Sequence, residues 1–254
     1  PIDRQRAFNN SRYTETTGYM NASAVKRLDD VITLAESLDI KFMLCMGAGD
    51  VATDRNFFVS EEAKTRFRNR LRYIVARWGY SPAIGMWEFF NEIDNIQFRD
   101  KNNPIPAEDI VGWHTEMAKY LKSIDPFGHI TTTSISHRDL AGLNSVPDLD
   151  INQKHIYNAT SVIPGTISDY EARFGKPYVI GEFGREWDWS KNFDDFADEM
   201  DADFRRGLWY GIFSPTPVTP MSWWWEYFEN RNMVPYFKAV RKVSDMMLAE
   251  SGGK

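Results

Sequence analysis

At Ala83-Ile84-Gly85-Met86-Trp87-Glu88-Phe89-Phe90-Asn91-Glu92 a short apolar run closes on a polar pair. A run of that length, aromatic and bounded by turn residues, reads as a strand buried on both faces, as in parallel sheets. A bare carboxylate at its end has no packing purpose. The pattern recurs at Pro177-Tyr178-Val179-Ile180-Gly181-Glu182.

Outward from these two strands, helical and strand patterns alternate, the signature of βαβ units around a parallel sheet. Val25, Leu28, Val31, Ile32, Leu34, Ala35 and Leu38 predict a helix over 24–38, followed by a strand over 40–46. Ser60 reads as an N-cap with Glu61 and Glu62 in the first turn, where the helix dipole favours anions. Phe67, Leu71, Ile74, Val75 and Trp78 form that helix's apolar stripe. Ile110, Trp113, Met117 and Leu121 mark the next helix, which ends before Asp125-Pro126. Strands follow over 129–136, 149–157 and 178–183, with a short helix over 167–174. Phe193, Phe196, Met200 and Phe204 line another helix, 220–227 reads as a tryptophan-rich strand, and a helix over 236–248 precedes a frayed tail.

The tally is six strands where a closed α/β barrel has eight. The first two strands are therefore expected upstream of Pro1, or the region before Asn21 contributes irregularly. Nothing divides the chain, and 254 residues with 43% hydrophobic content suffice for one core. A formal charge of −6 argues against nucleic acid or an anionic membrane as partner. Aromatic residues make up 15% of the chain, nine of them Trp, and their flat apolar faces suit sugar rings. The single Cys45 excludes an internal disulfide and is expected as a buried thiol without a catalytic role. No stretch is long enough to span a bilayer and no signal pattern opens the chain.

Glu92 and Glu182 stand three βα units apart, at roughly 30 residues per unit. A barrel gathers strand ends at one mouth, so the two should face each other across it. Paired carboxylates in that setting point to glycoside chemistry: one protonates a leaving oxygen while the other attacks or stabilises the sugar cation.

On Asn91-Glu92, His155-Ile156-Tyr157, Glu182 and Trp223-Trp224-Trp225, with 72–80 and Lys176-Pro177 in support, the sequence resembles the retaining glycoside hydrolases of clan A. It is similar to glycoside hydrolase family 5 and cellulase-like bacterial enzymes. The resemblance implies a TIM (β/α)8 barrel over 1–254 as a single domain, lacking the first one or two βα units, and a secreted or periplasmic location. It implies Glu92 as acid/base and Glu182 as nucleophile. Glu92 must hold a proton, which burial and the neighbouring anion should favour. Glu182 must stay ionised, so it needs donors, and Tyr157 and His155 are the candidates. Asn91 is expected to donate its amide to the sugar 2-hydroxyl or to Glu182. In a strand, Trp223 and Trp225 share one face and Trp224 takes the other, so Trp223 or Trp225 should stack on the sugar. Trp187 and Trp189 are candidate rim contacts.

Other carboxylates read as ordinary: Glu88 as a lower-layer residue, Glu186, Glu226 and Glu229 as solvated charge, and Asp94 as at most a contact to a substrate hydroxyl. His114 and His137 read as satisfied polar residues. No His pair at metal spacing, phosphate loop or nucleophile elbow appears, so no metal or cofactor is expected. An early-strand arginine is absent along with that strand, and Cys45-Met46-Gly47 stands where many relatives place a histidine. The expected partner is a β-linked carbohydrate. The contrasting possibilities are a non-catalytic glycan-binding or assembly module on a truncated barrel, and a transglycosylase using the same glutamates.

Overall fold

The computed structural model describes residues 4–5, 14–15, 20–47, 54–188 and 190–253. Two short strands, β1 (Arg4–Gln5) and β2 (Thr14–Glu15), pair antiparallel. Helix α1 (Ala22–Ser37) then begins on Asn21, whose side chain accepts from the Ala24 N–H at 3.1 Å. β3 (Phe42–Cys45), α2 (Asn56–Val59), α3 (Glu61–Trp78) and β4 (Ile84–Glu88) follow. Ser60 does cap α3, accepting from Ala63 N–H at 3.5 Å. Next come α4 (Ile93–Gln97), α5 (Ala107–Ile124), β5 (Ile130–Thr132), β6 (Ser134–Ile135) and β7 (Asn152–Tyr157). The chain closes with α6 (Ile163–Phe174), β8 (Tyr178–Gly184), α7 (Ala197–Ile212), α8 (Trp225–Glu229) and α9 (Val234–Glu250).

The pairing is parallel throughout β3-β4-β5 and β6-β7-β8. The strand expected over 129–136 is broken at Thr133 into β5 and β6, and backbone bonds from Phe89 N–H to Thr132 O and from Ser134 N–H to Phe90 O carry the ladder across. Sequential strands lie side by side, as the right-handed βαβ crossover requires. Helices α3 and α5 cover the first sheet around Trp78, Trp87, Phe89, Phe90 and Trp113, all buried. Ile156, Ile163, Ile167, Tyr178 and Phe183 pack under α6, and Met200, Phe204, Leu208, Trp224 and Phe228 form a third cluster with α7, α8 and α9.

The tryptophan-rich strand over 220–227 does not form. That segment contributes one parallel bridge, Phe183 to Ser222, and α8 starts at Trp225. Its aromatics pack without regard to strand parity, because bulky apolar residues satisfy a helix start as readily as a buried strand. Cys45 is exposed as a residue, yet burial and the Glu88 carboxylate push its thiol well up, so the sulfur itself faces inward as expected. It ends β3, whose outer edge carries no strand among the described residues, and its thiol contacts Gly47 O at 3.0 Å. No helix among the described residues is long and apolar enough to cross a membrane.

Candidate active site

Glu92 stands just beyond β4, in the left-handed region at φ 52°, ψ 57°. A non-glycine residue held there stores roughly 1 kcal/mol or more of strain, which neighbouring contacts must hold in place. Ser134 of β6 supplies one, its hydroxyl accepting the Glu92 N–H at 2.9 Å. Gly47 supplies another through its neighbour, accepting the Asn91 N–H at 3.1 Å. Any Cβ at Gly47 would lie 2.6 Å from Phe89 O, so only glycine permits this approach.

Glu182 lies on β8 with His155 of β7 directly beside it in register. A register shift between Lys154 and His155 turns the imidazole toward both carboxylates. His155 Nδ1 is 3.0 Å from Glu92 Oε1 and 3.2 Å from Glu182 Oε2. Tyr157 donates its hydroxyl to Glu182 Oε2 at 2.7 Å, and Asn95 donates its amide to Glu92 Oε2 at 2.8 Å.

Burial opposes a charge on His155, but hydrogen bonds and proximity to Glu182 and Glu92 outweigh it and push the imidazole up to about 9. The two carboxylates beside it thus favour the protonated form of His155. Burial raises Glu92, yet bonds from His155, Ser136 and Asn95 more than offset this, leaving it below the ordinary range. This corrects the expectation that burial and the second anion would raise it: the donors gathered on the carboxylate, His155 first, outweigh its burial. Burial and the Glu182 carboxylate push the Tyr157 phenol upward, so it stays a donor.

A cavity of about 390 Å³ opens over this pair, lined by Asn91, Glu92, Asn95, Ser136, His137, Tyr157, Glu182, Trp187, Trp223 and Trp224. Trp187 is 59% exposed and Trp223 37%, so both present ring surface to the opening. Trp225 does not: as the first residue of α8 it lines a separate apolar cavity of about 640 Å³ with Phe204, Phe228 and Phe237. The reason is the missing strand, without which residues 223 and 225 share no face. Trp189 lies outside the described residues.

Asp94 is fully buried and takes backbone N–H groups rather than facing the opening. Glu186 is also buried, contrary to its reading as solvated charge. Its carboxylate accepts from Trp187 N–H at 2.9 Å, Asp188 N–H at 3.1 Å and Lys191 Nζ at 2.5 Å. Trp224 Nε1 donates to Glu186 O at 2.7 Å, so Trp224 secures the loop that carries Trp187. His114 is buried and neutral, held down to about 4 by burial, with Nδ1 on Ile110 O at 2.8 Å. Glu88 is buried on β4, accepts from Gln153 Nε2 at 2.6 Å, and burial raises its carboxyl. Ser134, Ser136, Asn95, His137 and Trp224 are site neighbours that sequence reasoning missed, because scattered serines and an asparagine form no motif.

Donor atoms of Glu92, His155 and Glu182 lie within 4.8 Å of one another, a spacing that would suit a cation. A cation there would have to displace the proton that both carboxylates favour on His155, so its binding would weaken as pH falls.

Strand order and the opposed carboxylates define the class to which this chain is similar, the barrel glycoside hydrolases. No family model matches the chain. Its curated relatives are mannan endo-1,4-β-mannosidases. Mannan endo-1,4-β-mannosidase A of Podospora anserina is 25% identical over 203 residues, covering 65% of this chain and 52% of that protein. Mannan endo-1,4-β-mannosidase 1 of Oryza sativa subsp. japonica is 23% identical over 233 residues, covering 67% and 52%. The chain spans about half the length of these relatives. Among solved structures, the endo-β-1,4-mannanase of Thermotoga petrophila superposes with a TM-score of 0.58 at 20% identity, covering 78% of this chain and 52% of that one. A β-glucuronidase of an uncultured Clostridium sp. gives a TM-score of 0.57 at 14% identity, covering 78% and 35%. Over 78% of the chain the fold is that of these TIM-barrel structures.

Proposed function

We propose that this chain carries the catalytic centre of a retaining β-glycoside hydrolase, with Glu182 as nucleophile and Glu92 as acid/base. The observation that carries the reading is the approach of the two carboxylates, one oxygen of each within 4.8 Å and both on His155. Inverting pairs stand about 6.5–9.5 Å apart to admit a water between them, whereas retaining pairs stand about 5–5.5 Å apart. Glu182 attacks the anomeric carbon as the bond to the leaving oxygen breaks, and Glu92 protonates that oxygen. Water then attacks the glycosyl-enzyme, giving its proton to Glu92 and releasing Glu182. The proton that Glu92 needs first is at hand on His155 Nδ1, 3.0 Å away. Tyr157 holds Glu182 Oε2, Asn91 offers its amide at the cavity wall, and Trp223 and Trp187 provide ring faces for the sugar.

The relatives' names make β-1,4-mannan the first polysaccharide to assay, beside a panel of aryl β-glycosides. Glu182→Gln is expected to abolish turnover. Glu92→Gln is expected to lose about 10²- to 10⁴-fold on poor leaving groups, with partial rescue by azide. Equal and mild losses in both variants overturn the assignment. Binding of β-linked oligosaccharides without release of aglycone would instead indicate a glycan-binding module, and transfer to an added sugar a transglycosylase.

The barrel reading extends to what borders it. Among the described residues the outer edge of β3 pairs with no strand and the segment at Ser222 forms a single bridge, and in this reading further strands close the barrel at these edges.

A further inference from the structure

Trp187, Trp223 and Trp224 all line the cavity over Glu92 and Glu182, and they divide by burial: Trp224 is 2% exposed, Trp223 37% and Trp187 59%. Trp224 is the anchor. Its Nε1 donates to Glu186 O at 2.7 Å, and Phe193 packs edge-on against it with ring centroids 4.5 Å apart. A Cβ at Gly184 would lie 2.6 Å from that Nε1, so the indole crosses the end of β8 only over a glycine. Trp223 stays beside the strand, its N–H donating at 3.0 Å to the carbonyl of Phe183, the neighbour of Glu182. Trp187 stands three residues beyond the end of β8, outside its ladder. Glu186 fixes it there instead. The buried Glu186 carboxylate accepts the N–H groups of Trp187 at 2.9 Å and Asp188 at 3.1 Å on Oε1, and Lys191 Nζ at 2.5 Å on Oε2. Three donors offset the desolvation of the carboxylate and draw the chain on both sides of it into one turn.

We propose that Glu186 is a positioning residue for Trp187: by gathering the Trp187 and Asp188 N–H groups and the Lys191 ammonium, it holds the Trp187 indole ready to stack on a sugar ring beyond the one at Glu182. The division of labour follows from the backbone. Trp223 is tied beside Glu182 and serves the reacting sugar, whereas Trp187 lies farther along the chain, with more of its ring open to the same cavity. A ring on a free loop loses its mobility when a sugar docks, and a ring already held does not, so the clamp acts on affinity for the second sugar. The ligand in this proposal rests on the glycoside reading of the site, while the ordering of the indole does not.

The test has two readouts on the full chain. The first needs no substrate: nitrogen-15 labelling of the nine tryptophans gives their indole N–H signals, with that of Trp187 assigned by its loss in Trp187→Phe. The heteronuclear NOE of this signal reports ring motion, and it is expected to be high in the wild type and to fall in Glu186→Ala, while the signals of buried tryptophans such as Trp113 keep theirs. Should Glu186→Ala not fold, Glu186→Gln is read the same way, since it gives up the charged pair with Lys191. A Trp187 NOE equal to that of the wild type in the variant read overturns the proposal. The second readout is calorimetric titration of β-1,4-linked gluco- and manno-oligosaccharides of two to five units, and of the methyl β-glycosides, into Glu182→Gln, which binds without turnover. Adding Glu186→Ala should weaken the oligosaccharides by about three- to tenfold and the methyl glycosides by less, the range expected for one lost stacking contact. Trp187→Ala should produce the same pattern, and joining the two changes should add little, because both remove one contact. Equal losses at every chain length, or fully additive ones, overturn the proposal. If no β-glycoside binds while Glu186→Ala still frees the Trp187 indole, the glycoside reading falls and the positioning role stands.

Discussion

His155 is the residue on which the charge balance of the site turns. Its folded value of about 9 lies above the ordinary 6.5, so the unfolded chain binds fewer protons than the folded one between those values. The stability it contributes is complete below about pH 6.5 and is lost as pH rises through about 9. Denaturant midpoints of the wild type should therefore fall between pH 6.5 and 9.5 relative to His155→Gln, and parallel profiles for the two proteins would contradict the imidazolium. His114 runs the other way. Its folded value of about 4 lies below 6.5, so acidification from pH 6.5 toward 4 favours the unfolded state, which charges first. His114→Phe should flatten that part of the profile. The glutamates, His155 and Tyr157 were legible because a carboxylate after a buried strand, or polar residues inside one, lack a packing purpose. The burial of Asp94 was not, since the N–H groups of Ser136, His137 and Arg138 that it accepts come to it only once the chain has folded. Glu186 was misread for a related reason: the Lys191 that partners it lies in the same loop, and spacing within a loop fixes no geometry.

Among the elements, α7 against β8 shows how the scaffold holds the candidate nucleophile. A Cβ at Gly207 would lie 2.1 Å from the ring of Phe183, the buried residue that follows Glu182. Gly207→Ala must push α7 away or displace Phe183, and overpacking of this kind costs about 1–3 kcal/mol. Gly112 on α5 is the internal comparison: a Cβ there meets nothing within 4 Å. Gly112→Ala is expected to stabilise by roughly 0.5–1 kcal/mol through helix propensity. Urea midpoints for the two variants should move in opposite directions, and a shared direction would mean that α7 does not pack as described. The helices were legible because apolar residues at helical spacing and caps such as Ser60 act locally. The 220–227 segment was not, since an aromatic run satisfies strand and helix alike and only pairing decides between them.

For the whole molecule, the open edges matter more than the core. On α1, Val31 is 48% exposed and Leu34 and Leu38 are each 59% exposed, and on α9 Phe237 is 52% and Met246 58% exposed. Amphipathic helices bury their apolar residues against something, and here those residues face outward, while the outer edge of β3 pairs with no strand among the described residues. Leu34→Glu separates two states of this face. In residues 1–254 alone the position is surface, so the change should shift stability by no more than about 0.5 kcal/mol while reducing binding of an apolar dye. In a protein where a further strand–helix unit covers α1, the same substitution buries an unpaired carboxylate and should cost about 2 kcal/mol or more. A large loss in the short chain would mean that α1 is already covered there. Equal, small effects in both proteins would mean that the face stays open and that the barrel reading fails at this edge.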